Sequence, residues 1–109
     1  MGTTGLETAF AALYTELVLP GVLSLALLVE RMSAGASLFA LPPSRIAVGE
    51  IASVTLVDLE TRFVAGEHGW ESRSENCCFH GRSLHGRVLL TLAAGAVAYR
   101  ERAFSLVAI

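Results

Sequence analysis

Leu6, Phe10, Leu13 and Leu17 recur at helical spacing, with Ala9 and Tyr14 beside them. This pattern predicts a first helix over Leu6–Leu17, with Thr3 or Thr4 as N-cap and Glu7 in its first turn. Pro20-Gly21 stops it. Ser24 is placed to cap a second helix that buries Leu25, Leu28, Val29 and Met32, and a short helical turn is expected at Ser37–Ala40. Leu41-Pro42-Pro43-Ser44 then ends the helical part, because adjacent prolines hold the chain extended. Beyond it the pattern changes. Ile51–Leu59 reads as a strand around Val54-Thr55-Leu56-Val57, and Glu60–Ser74 as a polar loop anchored by Phe63, Val64 and Trp70. Asn76–Gly86 is irregular, Arg87–Ala93 is a strand, Ala94-Gly95 a turn, and Ala96–Arg100 the returning strand of a hairpin. The expected class is α+β, with two or three N-terminal helices followed by three or four strands.

The composition sharpens this picture. The 109 residues are 53% apolar and 17% charged, with mean hydropathy +0.58. An average domain is about 45–50% apolar and about 25% charged, so this chain is greasy for its size. The helices ask for more cover than so few further elements supply. Disorder is excluded by the hydrophobicity. Eight scattered Arg without any Lys do not make the basic stripe of a nucleic-acid binder. The absence of Lys also excludes Schiff-base and Walker-lysine chemistry within these residues. The longest apolar stretch, Leu17–Val29, is broken by Pro20, Gly21 and Ser24 and falls short of the ~20 residues of a membrane helix. No basic signal-peptide region precedes it, and Leu6 stands where myristoylation wants Ser or Thr. Together with the unpaired vicinal Cys77 and Cys78, this leads to the expectation of a reduced, cytoplasmic compartment without membrane attachment.

Candidate chemistry is sparse. Cys77, Cys78, His80 and His85 are the only soft-ligand cluster, and adjacent cysteines chelate zinc poorly. A Cys–His nucleophilic pair lacks an orienting third group. Glu7, Glu16 and Glu30 are acid–base candidates, but they read as first-turn or solvent-side charges. Arg73, Arg82 and Arg87 are anion-binding candidates, but such arginines more often pair with glutamates or cover apolar surface with their stems. Trp70 and Phe79 read as loop anchors.

The order of short motifs says more. Gly2-Thr3-Thr4-Gly5-Leu6-Glu7-Thr8-Ala9 resembles the Pro-Phe-Gly-x-x-Gly-Leu-Glu-Thr-Ala segment of the dihydroorotases, in the cyclic amidohydrolase superfamily. Leu28–Ser33 resembles the next helix of that family's (β/α)₈ barrel. Val48-Gly49-Glu50-Ile51-Ala52-Ser53-Val54-Thr55-Leu56-Val57-Asp58 resembles its Gly-x-Pro-Ala-Asp-Leu-x-Leu-Val-Asp strand. Ser72–Gly81 is similar to its Ser-x-Ser-x-Asn-Thr-Pro-Phe-x-Gly loop, and Leu84–Tyr99 to its closing hairpin. All five stand in family order. The chain departs at Ala34-Gly35-Ala36, at Ile51 and Ser53, and at Cys77-Cys78, where the family has Asn-Pro-Ala, Pro and Asp, and Thr-Pro.

The resemblance implies the C-terminal quarter or so of a dihydroorotase. Residues 1–43 would be terminal barrel helices, and 44–109 part of the accessory β-sandwich with its C-terminal hairpin. The parent reaction would be zinc-dependent hydrolysis of dihydroorotate to carbamoyl aspartate in pyrimidine synthesis. The family's metal ligands precede this segment, so no metal or catalytic residue is carried over, and this chain alone is expected to bind no zinc and to be inactive. One substrate contact carries over, the backbone of Gly2. The implied partner is the remainder of the barrel. The alternatives are a non-catalytic dihydroorotase-like scaffold held by aspartate carbamoyltransferase or by self-association, a gene remnant, and a free-standing α+β binding module.

Overall fold

The computed structural model describes residues 3–41 and 45–101. The expectations at Gly2 and at Pro42-Pro43-Ser44 lie outside them. Among these described residues the architecture is α+β: three short α-helices, then one antiparallel sheet of three strands in the order β1-β2-β3.

Helix α1 (Ala9–Leu13) runs directly into a π-helical turn, Tyr14–Val18. Pro20 has no amide to give the carbonyl four residues back, and the coil widens just upstream of it, with Leu19 N bonding to Tyr14 O at 3.0 Å. Gly21 then turns the chain at φ 88°. This corrects the expected Leu6–Leu17 helix. Residues 6–8 form a turn instead, Thr8 takes the N-cap position, and Glu7 stands outside the helix.

The buried side of α1 is also corrected. Leu6 is 94% exposed and Leu13 38% exposed, whereas Thr8, Ala11 and Ala12 are buried. Thr8, Ala11, Ala12 and Thr15 recur at three- and four-residue intervals and so share a face. That face rests on β2 (Ser83–Ala93). Small side chains allow close approach, and Gly86 of β2 completes it: a Cβ there would stand 3.2 Å from the Phe10 ring. Thr15 fixes the register. Its Oγ1 accepts from His85 N at 2.8 Å and donates to His85 O at 3.2 Å.

Helix α2 (Leu25–Ser33) begins as the sequence requires, with Ser24 Oγ accepting from Leu27 N at 3.1 Å. Of its expected core residues only Leu28 is buried; Val29 and Met32 are each 49% exposed. Its main neighbours are the π-helical turn and α3 (Gly35–Leu38), which forms slightly earlier than expected.

Strand β1 (Val54–Val64) outlasts its predicted end at Leu59. Asp58 explains why. Its Oδ1 accepts from the Glu60 and Thr61 amides at 3.0 and 3.1 Å, making a local turn. The ladder breaks between Asp58↔Arg87 and Arg62↔His85 and then resumes. Strand β2 likewise starts at Ser83, inside the stretch expected to be irregular. Ala94 and Gly95 take φ 50° and 84° in the two-residue turn to β3 (Ala96–Arg100), as the hairpin reading requires. The tip is pinned by Ala94 N on Ser53 Oγ (3.1 Å) and Gly95 N on Ala52 O (2.7 Å).

The core is small. Ala11, Ala65 and Leu84 are buried together, with Phe63, Trp70 and Phe79 packed around them. Exposed surface totals 8017 Å², against ~5,800 Å² expected for a folded monomer of this mass. Leu38, Phe39, Ile46, Val48 and Ile51 are each more than 70% exposed.

Candidate functional site

Two segments far apart in sequence meet below the first helix. One is 3–8, beside Gly2. The other is the 71–78 loop. Thr4 N donates to Asn76 O at 2.8 Å, and Cys78 N donates to Thr3 Oγ1 at 2.9 Å. Glu7 makes the densest contact. Its Oε1 accepts from Glu71 N at 2.8 Å, and its Oε2 from Ser72 N at 2.8 Å and Ser72 Oγ at 2.5 Å. Burial pushes the Glu7 carboxyl upward, but the Ser72 hydroxyl and the two amides outweigh it and hold the group below the ordinary glutamate value. Behind this seam the Thr8 hydroxyl lies 3.8 Å from the buried Cys77 Sγ. The Thr4 hydroxyl is buried without a partner among the described residues.

The loop is backed by a tight frame. Ala65 N bonds to Arg82 O, and Gly81 N to Ala65 O, both at 2.9 Å. Gly66, at φ 84°, admits the His80 ring, which lies against Trp70 with centroids 5.9 Å apart. A Cβ on Gly66 would stand 2.5 Å from His80 Nδ1.

The soft-ligand candidates are dispersed. Cys77 is buried toward Thr8, Cys78 is exposed, His80 faces Trp70, and His85 Nδ1 meets Glu60 O at 3.2 Å. Among the described residues no three His, Cys, Asp or Glu side chains form a group that could hold a metal. The described residues therefore do not fit a catalytic zinc. Two of the anion-binding candidates are already engaged. Arg82 pairs with Glu16 and lies over Phe79, while Arg87 pairs with Glu67 at 2.7 Å and lies over Phe63. Arg73 is exposed on the loop, and Glu30 is exposed on α2. No described helix is long and apolar enough to cross a membrane.

Sequence reasoning missed the part played by Glu7. Its donors lie 64 and 65 residues further on, and two of the three are backbone amides, which carry no signature in the side-chain pattern. The family motifs held the available signal, since Gly-Leu-Glu-Thr and Ser-x-Ser-x-Asn are the two segments the fold brings together.

No family model matches the chain. Similarity to individual proteins is clear. The chain is 39% identical over 102 residues to a dihydroorotase of Pediococcus pentosaceus, a match that takes in 92% of this chain and 24% of that protein. It is 40% identical over 101 residues to a dihydroorotase of Bacillus subtilis, covering 92% of this chain and 24% of the relative. It is 42% identical over 100 residues to that of Lactiplantibacillus plantarum, covering 90% and 23%. The chain thus spans about a quarter of the length of the curated relatives it matches. These matches bear out the family read from the five motifs: this chain resembles dihydroorotase, with coverage consistent with a C-terminal segment of that enzyme.

Proposed function

We propose that this chain is the C-terminal segment of a dihydroorotase-like amidohydrolase and acts only as part of that larger enzyme. The coverage carries the reading, since nine-tenths of this chain corresponds to about a quarter of each relative. The exposed apolar side chains of α2 and of residues 38–41 and 45–51 support it, because a severed piece shows the face that its missing neighbours would cover. In this reading residues 1–43 are the last barrel helices and 44–109 belong to the accessory sandwich. The backbone of Gly2, next in sequence to the 3–8 segment, is in this reading the substrate contact that the family resemblance implies.

The whole enzyme would hydrolyse the cyclic amide of dihydroorotate to carbamoyl aspartate, in the cytoplasm. Zinc held by residues outside this chain would activate water and polarise the ring carbonyl. This chain contributes no ligand to it, and alone it is inactive. Its partner is the remainder of the barrel.

The test is complementation. The purified chain is mixed with the N-terminal three quarters of the Bacillus subtilis relative and zinc, and dihydroorotate hydrolysis is followed. The reading expects turnover only from the mixture, and dye binding or self-association by the chain alone. Stoichiometric zinc binding and hydrolysis by the chain alone would contradict it. A monomer with a cooperative melt and no dye binding would point instead to a free-standing module.

A further inference from the structure

We propose that Glu7 is a positioning residue: its carboxylate, by gathering the Glu71 amide, the Ser72 amide and the Ser72 hydroxyl, orders the 71–78 loop as the support on which the Thr3-Thr4 backbone is laid. The inference rests on the reading above for what that backbone serves, but the clamp itself is a property of this chain. The geometry is specific. Both carboxylate oxygens are used, at 2.8, 2.8 and 2.5 Å, and all three donors come from consecutive loop residues. An ionised carboxylate binds such donors about twice as strongly as a neutral acceptor does.

The same loop then grips the chain a second time, at Thr4 N–Asn76 O and Cys78 N–Thr3 Oγ1. Glu7 sits at the other end of the 3–8 segment from these contacts. The loop is therefore bridged to the segment at two separated points, and only the Glu7 point is made by a charged group. A solvent-side helix charge would do none of this, and α1 begins only at Ala9.

The experiment is amide hydrogen exchange on the whole chain from about pH 3 to about pH 7, relative to intrinsic rates, in wild type, Glu7→Gln and Glu7→Asp. In wild type, protection of the Glu71 and Ser72 amides rises by at least about tenfold as one carboxylate ionises. Glu7→Gln keeps the shape but removes this pH step, and protection at Thr4 and Cys78 falls with it. Glu7→Asp, charged but shorter, keeps a reduced step. Circular dichroism confirms that the variants are folded, and Leu84 amide protection reports the core independently. The proposal is overturned if Thr4 and Cys78 stay protected in Glu7→Gln, or if wild type shows no pH step at Ser72. Failure of the complementation assay with the clamp intact would count against the enzyme reading alone.

Discussion

The two halves of the helical layer are similarly greasy but differently buried. Around α1 the fit is close. Thr8, Ala11 and Ala12 are buried on β2, Thr15 exchanges two hydrogen bonds with His85, and Glu7 holds the loop. Along α2 and residues 38–41 and 45–51, apolar side chains stand in solvent, with Leu38 82%, Phe39 77% and Ile46 91% exposed. Side-chain size explains part of the contrast. Alanine, threonine and glycine let helix and strand backbones approach, whereas leucine, valine and methionine need a second surface to interlock with. The lesson is that hydrophobicity assigns a residue to some interior, and the described residues do not supply an interior for α2.

Substitutions can break or sharpen this contrast. Leu84 is fully buried at the centre of the small core, so Leu84→Ala should cost about 2–5 kcal/mol, read from urea unfolding. Gly66→Ala comes next, at about 2–4 kcal/mol, because it combines a positive φ with contact on His80 and Trp70; the Trp70 emission should shift with it. Thr15→Val removes both hydrogen bonds to His85 and should cost about 1–2 kcal/mol by the same unfolding assay.

Acid should act in the same direction through Glu7 and Asp58. The Thr61 hydroxyl first, then the amides of Thr61 and Glu60, hold Asp58 below its ordinary value, as Ser72 and Glu71 hold Glu7. A carboxyl depressed in the folded state adds stability above its unfolded pKa and loses it as pH falls through the folded one. A pH series of melts should therefore decline below the ordinary carboxylate range, and Glu7→Gln with Asp58→Asn should flatten that decline. The smallest effect belongs to α2. Val29→Gln and Met32→Gln should change stability by no more than about 0.5 kcal/mol while reducing dye binding. A cost comparable to that of Leu84→Ala would show that the α2 face is covered in solution, and the contrast would fail.

Features written in neighbouring residues are legible in the sequence itself. Ser24 caps α2, Pro20-Gly21 ends the first helical segment, and Ala94-Gly95 turns the hairpin, because each acts on backbone within a few residues. The side of α1 that packs was not legible. The Leu6–Leu13 spacing is a sound helical pattern, yet the competing Thr8-Ala11-Ala12-Thr15 face wins because β2 offers Gly86 beneath it. The extension of β1 past Leu59 was hidden by Asp58, a turn former that here interrupts a strand without ending it. The seam was legible only as two motifs, and their meeting depends on a chain reversal that no local pattern encodes.

The strand order has one further consequence. With β2 in the middle, β1 and β3 each present one row of backbone donors and acceptors without a partner strand among the described residues. Natural sheets commonly blunt such borders with lysine. This sequence has none to place there, and β3 is exposed along its whole length. By itself, the chain would therefore be prone to add strand to strand with its own kind, and its handling in solution would be governed by concentration as much as by the strength of its core.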